Sequence, residues 1–483
     1  MRAGVADPGE FSPFCDVEGV AAGELAAPAG AWLGPTPAAP LPVGSERRAR
    51  WRRFGLALCL LGLVACTRQP RLETLEHGRF PNLQLAVPES PRALALLLAG
   101  PEERERAEAL SSQLSREAAI VTRIDAAAFV GVLEATPSGC VFPSGDLDNL
   151  ARFVQAYLRL PSYQPAILVG LGAGAGLVAG ALRQAPPGTF AGGVVFDDCG
   201  EPPLHVPLCP ADGRTEPPQA PVAEPADPLL RLRSDRGGCP PGAQAAYAAP
   251  VQAASTFSSA FATLAAAANA RKTSSPTDLD GVPVSEVEQD GTGHPDTFGV
   301  LLSGDGGWAG LDKELSERLA KAGIPIVGID SLRYFWSART PEGTAADLDR
   351  VIERYQSVWN RQRVLLIGYS QGADVLPFLL NRLSAKSRTA IVSAVALALG
   401  TTATFEFHVR NWVGAAGELP TLPEAQRLAP HSLLCVYGTA DPDALCPQLD
   451  PTAFDVLALP GDHHFNGDYD RLSAVVLESL QPK

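Results

Sequence analysis

An apolar segment that runs directly into a glycine-rich turn and then into a helical pattern occurs twice in this 483-residue chain. Residues 166–169 lead into the first such turn, and residues 364–367 lead into the second. A second short apolar segment lies about seventy residues before each turn, at 93–98 and at 299–302. Because strands that alternate with helices form parallel βαβ units, the sequence predicts two doubly wound α/β domains in tandem.

Composition indicates where these two domains begin and end. A chain of 483 residues exceeds the size at which a single hydrophobic core stops growing. The segment 271–289 is polar and rich in small residues, so we interpret it as a linker. We therefore expect an N-terminal domain at 66–270 and a C-terminal domain at 290–483. Residues 1–65 are predicted to be an N-terminal extension followed by a signal peptide.

The end of the segment 1–65, directly before Cys66, has the pattern of an export signal. A basic stretch at 48–53 precedes an apolar run at 54–65, which ends in small residues directly before Cys66. The run is too short for a permanent membrane helix, and its end resembles the lipobox of bacterial lipoproteins, in which the cysteine is lipidated. We expect a periplasmic lipoprotein anchored at Cys66. Since a signal should stand at the start of a protein, we also expect translation to begin near residue 41 or 43.

Cysteine usage agrees with an oxidising compartment. Without Cys15, Cys59 and Cys66, an even number of cysteines remains, and no Cys-x-x-Cys pair suggests zinc. Two of the remaining cysteines flank a predicted turn and form the expected disulfide, Cys435–Cys446. The other pairings stay open. The six cysteines are Cys140, Cys199, Cys209, Cys239, Cys435 and Cys446.

The charge balance limits the classes of partner. A formal net charge of −14 leaves no basic footprint, so we expect no nucleic-acid partner and only weak attraction to a bare anionic surface. An acidic protein suits a cationic substrate or product. The same charge also serves solubility alone, which is its commonest role.

The segment 364–374 carries the motif with the most chemical content. An apolar strand meets a helix through Gly368-x-Ser370-x-Gly372, the nucleophile elbow of α/β-hydrolases. The turn is so tight that side chains at its flanks would collide with backbone. Ser370 is the predicted nucleophile, since the helix N-terminus stabilises negative charge formed on attack. The matching turn of the first half has Gly172 at this position, so we expect a degenerate N-terminal hydrolase domain kept for structure, gating or partner binding.

A serine nucleophile needs a base and an acid, and in these folds the acid and then the histidine follow the serine in the chain. The strand predicted at 431–437 runs into a turn with Asp441, the expected acid, and Asp443, the alternative. The loop after the last apolar segment contains two adjacent histidines. We predict His464, directly before an aromatic residue, as the general base and keep His463 as the alternative. A metal site formed by this pair is disfavoured because adjacent side chains point apart.

The oxyanion hole is expected to use two backbone amides. One is the N–H of Gln371, directly after the nucleophile. The other should come from the loop 303–308, where successive glycines let amides turn towards a ligand, so Gly306 or Gly307 is the expected donor. Asp305, the acidic residue of this loop, either binds a substrate ammonium group or caps the following helix. The predicted substrate contacts are Asp305, Trp308 and Tyr369.

Residues 290–483 resemble the VirJ/AcvB family of bacterial periplasmic virulence proteins. The arrangement in two halves, the first without a nucleophile, is similar to the longer AcvB type, whereas the lipobox departs from the family pattern. Asp374 and Arg333 also match that pattern, as structural groups or as headgroup contacts. The matching segments are 303–308, 330–336, 368–377, 437–446 and 461–469.

This resemblance implies hydrolysis of aminoacyl-phosphatidylglycerol, above all lysyl-phosphatidylglycerol, in the periplasm. Ser370 would accept the amino acid as an acyl-enzyme, and water activated by His464 would release it. No metal or cofactor is expected. The expected partners are the lipid substrate and the membrane surface, and a secreted protein is a further candidate. Two alternatives stay open: a noncatalytic adaptor for virulence or secreted proteins, and a general carboxylesterase, thioesterase or lipase.

Overall fold

The computed structural model describes most of the chain after residue 69, and all described residues belong to one compact unit. The predicted signal peptide, Cys66, Cys199 and Cys239 lie outside these residues. Within the described part, every helix is too short or too polar to cross a lipid bilayer. The described ranges are 70–135, 139–198, 204–209, 224–233, 251–253, 256–272, 276–407 and 419–481.

Among the described residues, the N-terminal sheet has eight strands in the order β1-β2-β4-β3-β5-β6-β7-β8. The first two strands pair antiparallel, as do the second and fourth, and every other pair in the sheet is parallel. The strands are β1 (Arg71–His77), β2 (Phe80–Val87), β3 (Ala93–Ala99), β4 (Ala119–Asp125), β5 (Ile167–Leu171), β6 (Gly192–Phe196), β7 (Leu229–Arg233) and β8 (Val251–Ala253).

Helices cover both faces of this sheet, and a separate apolar cluster fills each face. Strand β3 consists of seven consecutive buried residues, as expected for a parallel strand covered on both sides. A 3-10 turn at Pro101–Glu103 follows it. The helices are α1 (Arg104–Arg116), α2 (Ala126–Glu134), α3 (Pro143–Tyr157), α4 (Ala173–Gln184) and α5 (Phe257–Lys272).

In the described part of the C-terminal half, the sheet has seven strands in the order β17-β16-β13-β12-β10-β11-β9, and a separate pair β14-β15 lies outside it. Only β9 runs antiparallel to its neighbour in this sheet. The strands are β9 (Val284–Val287), β10 (Thr297–Leu302), β11 (Ile326–Ile329), β12 (Arg363–Tyr369), β13 (Ile391–Leu397), β14 (Thr402–Ala403), β15 (Leu419–Pro420), β16 (Leu434–Gly438) and β17 (Asp455–Leu459).

Helices again cover both faces, over two further apolar clusters. The two halves are therefore doubly wound α/β layers, as the sequence predicts. Short 3-10 turns lie at Thr277–Leu279, Cys446–Gln448 and Phe465–Gly467. The helices are α6 (Leu311–Lys321), α7 (Ser331–Tyr334), α8 (Pro341–Val358), α9 (Gln371–Arg382), α10 (Ala385–Ala390), α11 (Thr421–Ala425) and α12 (Tyr469–Glu478).

The C-terminal layer begins earlier than residue 290. Strand β9 lies inside the segment 271–289 that the sequence suggested was a linker, and it forms the edge of the sheet beside β11. Leu279 and Val282 are fully buried in the core of this layer. The segment contains few apolar residues because an edge strand buries little of its surface. This low apolar content is also typical of a linker, so the sequence predicted one here.

The two sheets are joined through a small aromatic cluster. Trp336 donates its indole N–H to the carbonyl oxygen of Leu160, at 2.8 Å. Its ring stacks on Phe407 with centroids 5.0 Å apart and lies 5.4 Å from the ring of Tyr163. Together with Leu332 these rings form a buried apolar contact between the N-terminal and C-terminal layers.

Two disulfides are formed among the described residues, Cys140–Cys209 and Cys435–Cys446. The second confirms the predicted pair. It closes a loop with a sequence separation of 11 residues, and this loop contains Asp441. The disulfide therefore cross-links the chain and also restrains the loop that contains Asp441, a candidate catalytic residue.

Removal of the Cys435–Cys446 disulfide should destabilise the protein measurably. Because the cross-link restricts the unfolded chain, the double variant Cys435→Ala/Cys446→Ala is expected to lose about 3 kcal/mol of unfolding free energy. The pair Cys140–Cys209 spans 69 residues, so its removal is expected to cost about 4 kcal/mol. Urea unfolding without reductant measures both. An unchanged midpoint for the first variant would show that its disulfide does not stabilise the fold.

Candidate active site

Ser370 occupies a strained turn between β12 and α9. Its φ of 51° and ψ of −120° are unfavourable for a residue with a side chain. A Cβ at Gly368 would lie 2.4 Å from the carbonyl oxygen of Gly372, and one at Gly372 would lie 2.1 Å from that of Leu302. Only glycine fits at these two flanks, so the sequence motif is dictated by backbone packing. The strain presents the serine hydroxyl above the sheet edge.

Three side chains form a hydrogen-bonded chain at this edge. The Oγ of Ser370 lies 2.9 Å from Nε2 of His463, and Nδ1 of His463 lies 2.8 Å from Oδ2 of Asp441. The serine hydroxyl donates to Nε2 when Nδ1–H donates to the carboxylate. The Asp441 side chain is 3% exposed and that of His463 is 35% exposed, so the carboxylate is buried behind an imidazole open to the cleft.

The structure corrects the predicted base. His464 does not contact Ser370; its Nδ1 lies 2.7 Å from the hydroxyl of Tyr369. Adjacent side chains point apart, and the loop turns so that the first histidine faces the serine. Desolvation and the neighbouring His463 lower the pKa of His464, which favours its neutral form. For the acid, the structure brings Asp441 to the histidine, whereas the backbone N–H of Asp443 only donates to Asp441.

The loop between β10 and α6 lies beside the nucleophile. A Cβ at Gly304 would lie 3.4 Å from the Cβ of Ser370. The structure excludes Gly307 as an oxyanion donor because its N–H already donates to the carbonyl oxygen of Gly304, at 3.0 Å. The amides of Asp305 and Gly306 remain as candidate oxyanion donors. The Asp305 amide was not predicted from the sequence, because only glycines were expected to turn an amide towards the ligand. Gln371 is the first residue of α9, so its amide lies at the helix N-terminus.

The predicted substrate contacts divide into two groups. Asp305 and Tyr369 line the cavity that contains Ser370. Trp308 does not: its ring covers the backbone of Gly328 on β11, where any side chain would overlap the indole. Trp308 is therefore partly buried and packs on the sheet against the apolar core.

The cavity at Ser370 has a volume of about 1020 Å³ and has walls from both layers. The N-terminal wall comes from α3, its preceding residue and the chain after α4. This wall was not predicted from the sequence, since no local pattern shows which distant residues meet a loop more than a hundred positions away. Its residues are Phe142, Ser144, Gly145, Asp148, Arg152, Pro186 and Thr189.

The N-terminal layer keeps the backbone of an elbow without a nucleophile. Gly172 has φ 53° and ψ −118°, nearly the values of Ser370. A Cβ at Gly174 would lie 2.2 Å from the carbonyl oxygen of Leu98, so the second flank is as tight as in the other layer. A Cβ at Gly172 itself would lie 3.3 Å from Cγ of Glu103. This turn holds a glycine where the other layer holds its serine.

Asp374 and Arg333, which match the family pattern, and Asp468, in the same loop as the two histidines, have structural partners. Asp374 is partly buried, and its Oδ1 accepts the N–H of Gly400 at 2.6 Å, while desolvation raises its pKa. Arg333 pairs with Asp330 at 3.5 Å. Asp468 caps α12 by accepting the N–H of Arg471. Within the described residues, no three acidic, histidine or cysteine side chains cluster as a metal site.

Asp312 is a buried acid beneath the loop that adjoins Ser370. Its side chain lies in α6 with only 2% exposure, and the N–H of Gly304 donates to its carboxylate. Desolvation raises the pKa of Asp312 well above its ordinary value of 3.8, and the neighbouring Asp330 adds to the rise. The folded state therefore favours the protonated acid.

Replacement of Asp312 by asparagine should change how stability depends on pH. In the wild type, the stabilisation from the neutral acid is fully present below pH 3.8 and is lost as pH rises through the higher folded pKa. The asparagine side chain does not titrate. Relative to wild type, the Asp312→Asn variant should gain unfolding free energy between about pH 4 and pH 8, as measured by urea unfolding at both values. A constant difference between the two proteins would contradict the raised pKa.

A serine, histidine and buried carboxylate above a mostly parallel sheet define the C-terminal layer as an α/β-hydrolase-type domain. Residues 296–483 match the family model described as bacterial virulence protein (VirJ). Over these residues the chain matches the VirJ family model, which confirms the predicted resemblance.

Comparison with solved structures gives partial likenesses. Est1E from Butyrivibrio proteoclasticus, solved with ferulic acid, is 14% identical, with coverage of 41% of this chain and 95% of that chain and a TM-score of 0.30. LpqC, a poly(3-hydroxybutyrate) depolymerase from Bordetella parapertussis, is 15% identical, with coverage of 42% and 85% and a TM-score of 0.29. XC6422 from Xanthomonas campestris, described as an α/β serine hydrolase without a lid, is 16% identical, with coverage of 41% and 87% and a TM-score of 0.28. No curated protein matches the chain.

Proposed function

We propose that this protein is a serine hydrolase that cleaves a carboxylic ester, with Ser370 as nucleophile, His463 as general base and Asp441 as the orienting acid. The observation that carries the proposal is the unbroken hydrogen-bonded chain from Ser370 Oγ through the His463 imidazole to Asp441. A strained turn, a base within reach and a buried carboxylate are what a serine needs to attack at neutral pH.

The reaction proceeds in two halves. Ser370 attacks the ester carbonyl while His463 accepts its proton, and negative charge forms on the former carbonyl oxygen near the Gln371 amide. The imidazolium of His463 then donates that proton to the leaving alcohol, which gives an acyl-serine. Water, deprotonated by the same imidazole, releases the acid and restores the serine. Asp441 stabilises the imidazolium and holds Nδ1–H in place throughout.

For the substrate, we propose aminoacyl-phosphatidylglycerol, above all its lysyl form. The family resemblance supports this choice, and so does the cavity, because acidic side chains line the space beside Ser370. Carboxylates near the scissile ester suit the ammonium groups of an aminoacyl chain. Export and lipid anchoring at Cys66 belong to the same proposal, since they would hold the protein beside a lipid substrate. Two acidic residues of the cavity suit this role, Asp305 and Asp462. Of the other two, Asp148 is paired with Arg152, and burial favours the neutral form of Asp312.

Vesicles test the substrate directly. Purified protein is mixed with vesicles that contain lysyl-phosphatidylglycerol, and free lysine and free fatty acid are both measured by mass spectrometry. Lysine release by wild type and not by Ser370→Ala supports the proposal. Fatty acid release without lysine release would instead assign a lipase, and release of neither would reject both lipid substrates.

A noncatalytic adaptor is the second candidate, favoured by the N-terminal layer, which keeps an elbow backbone with glycine in place of the nucleophile. Cells that lack the protein, complemented with wild type or Ser370→Ala, separate the two roles. Accumulation of an aminoacyl lipid that only wild type reverses supports the hydrolase. Equal rescue by both proteins would favour the adaptor. A mass spectrum of the mature N-terminus tests the lipid anchor at Cys66.

A further inference from the structure

One side chain of the N-terminal layer reaches the loop beside Ser370. Arg152 lies on α3, is 5% exposed, and donates from Nη1 to the carbonyl oxygen of Asp305 at 2.8 Å and from Nη2 to that of Gly306 at 3.1 Å. These two carbonyls are more than 150 positions away in sequence. The guanidinium group thus binds the carbonyls of two successive peptide groups across the boundary between the layers.

The guanidinium is fixed on its own side. Asp148, one helical turn earlier, pairs with Nη2 of Arg152 at 2.6 Å. The guanidinium carbon lies 6.0 Å from the centre of the Tyr163 ring, which belongs to the aromatic contact between the layers. A planar fork held from behind by a carboxylate is pre-organised, so little further ordering is needed to bind the two carbonyls.

These bonds set the direction of the loop amides. In a trans peptide the C=O and N–H point in opposite directions. The carbonyl of Asp305 points towards Arg152, so the amide of Gly306 points away from it. The carbonyl of Gly304 accepts the N–H of Gly307. The amide of Asp305 belongs to the same peptide group as this carbonyl, so it points away from Gly307. Charge on the guanidinium also polarises the two bound peptide groups and strengthens their donors.

We propose that Arg152 is a positioning residue for the oxyanion hole, and that the N-terminal layer, which has no nucleophile, is needed for catalysis because it supplies this side chain. The inference rests on the proposed serine-hydrolase function. Arg152 acts through the backbone carbonyls of Asp305 and Gly306, and it holds the amide of Gly306 where negative charge forms during attack by Ser370.

The test measures how fast a fluorophosphonate labels Ser370, together with kcat and KM for an activated ester. Phosphonylation of a serine builds charge on an oxygen at the same place as ester attack, so both readouts depend on the oxyanion hole. Three proteins are compared with wild type: Arg152→Lys, Arg152→Gln and the double variant Asp148→Asn/Arg152→Gln. The double variant leaves no unpaired buried carboxylate at position 148, so it keeps the test valid if the single variant folds poorly.

Arg231→Gln is the matched control. Arg231 is also 5% exposed, also lies in the N-terminal layer, and pairs through Nε with the buried Asp198 at 3.1 Å, outside the cavity. Its replacement disturbs the same layer without touching the loop. Thermal unfolding of each variant shows how far its fold is weakened.

We expect the double variant to label about 10- to 100-fold more slowly than wild type, with kcat lowered and KM little changed. Arg152→Lys should be intermediate, because an ammonium keeps the charge and loses the fork. Arg231→Gln should label at the wild-type rate.

Three results would overturn the inference. If the double variant labels as fast as wild type while Ser370→Ala is not labelled, Arg152 has no positioning role and the proposed hydrolase stands. If Arg231→Gln is slowed as much as the double variant, the effect reflects general weakening of the layer. If Ser370→Ala is labelled as fast as wild type, the hydrolase and the inference are both wrong.

Discussion

Replacement of Ser370 by alanine is expected to lower kcat for an activated ester such as p-nitrophenyl acetate by a factor on the order of 10⁴ to 10⁶. The variant removes the atom that forms the acyl-enzyme, and the oxyanion donors alone retain a small activity over water. Loss of one small hydroxyl should leave the fold intact, because Gly368 and Gly372 still permit the turn. Release of p-nitrophenol, followed at several ester concentrations, gives the value.

Ser393→Ala serves as the control for this experiment. Ser393 lies on β13, the strand beside β12, and its Oγ lies 2.8 Å from that of Ser479, away from the cavity. The control should keep wild-type kcat. If Ser370→Ala kept more than about a tenth of the wild-type value, a serine nucleophile at this position would be ruled out, since triad serines contribute far more.

The two adjacent histidines should differ sharply when each is replaced by alanine. His463→Ala removes the base that contacts Ser370 at 2.9 Å, so kcat should fall by a factor similar to that for the serine variant, on the order of 10⁴ to 10⁶. His464→Ala removes the hydrogen bond to the Tyr369 hydroxyl and leaves the bond between His463 and Ser370 in place, so we expect a loss of no more than about tenfold.

Each histidine variant is the matched control of the other, since the change and the loop are the same. The assay is again ester hydrolysis, with kcat and KM determined separately. Equal losses would mean that both imidazoles take part in the reaction. A larger loss for His464→Ala would favour that residue as the base and contradict the geometry of this loop.

The fold was readable from sequence wherever local constraints are strong. Buried strands such as 364–367 are uniformly apolar, and the flanks of Ser370 must be glycine because any Cβ would strike backbone. The disulfide Cys435–Cys446 was also predictable, because two cysteines that flank a short turn are already close. In these places neighbours in sequence decide the structure, so a pattern of residue types is sufficient.

The choice between His463 and His464 could not be predicted from the sequence in this way. Both stand in one loop before Phe465, and which imidazole faces the serine depends on how the loop turns over the sheet. Asp462 accepts the N–H of His464 at 2.9 Å and the 3-10 turn follows directly, which fixes that rotation. A shift of one residue in an irregular loop leaves no periodic signal.

The contribution of the N-terminal layer was hidden for a different reason. Arg152 stands on an amphipathic helix where an arginine is ordinary, and its partners Asp305 and Gly306 offer only backbone carbonyls. Contacts between a side chain and distant backbone leave no pattern of residue types. The same holds for Trp308, whose place over Gly328 depends on strand packing and not on its neighbours in the loop.

Peptide mapping by mass spectrometry after reaction with a fluorophosphonate tests the proposed nucleophile most directly. An ordinary serine does not react with this reagent, whereas one paired with a base does. The wild-type protein should carry the adduct on Ser370, and the His463→Ala protein should carry none there. An adduct on another residue in the wild type, or an equal adduct on Ser370 without His463, would show that this hydroxyl is not activated as proposed.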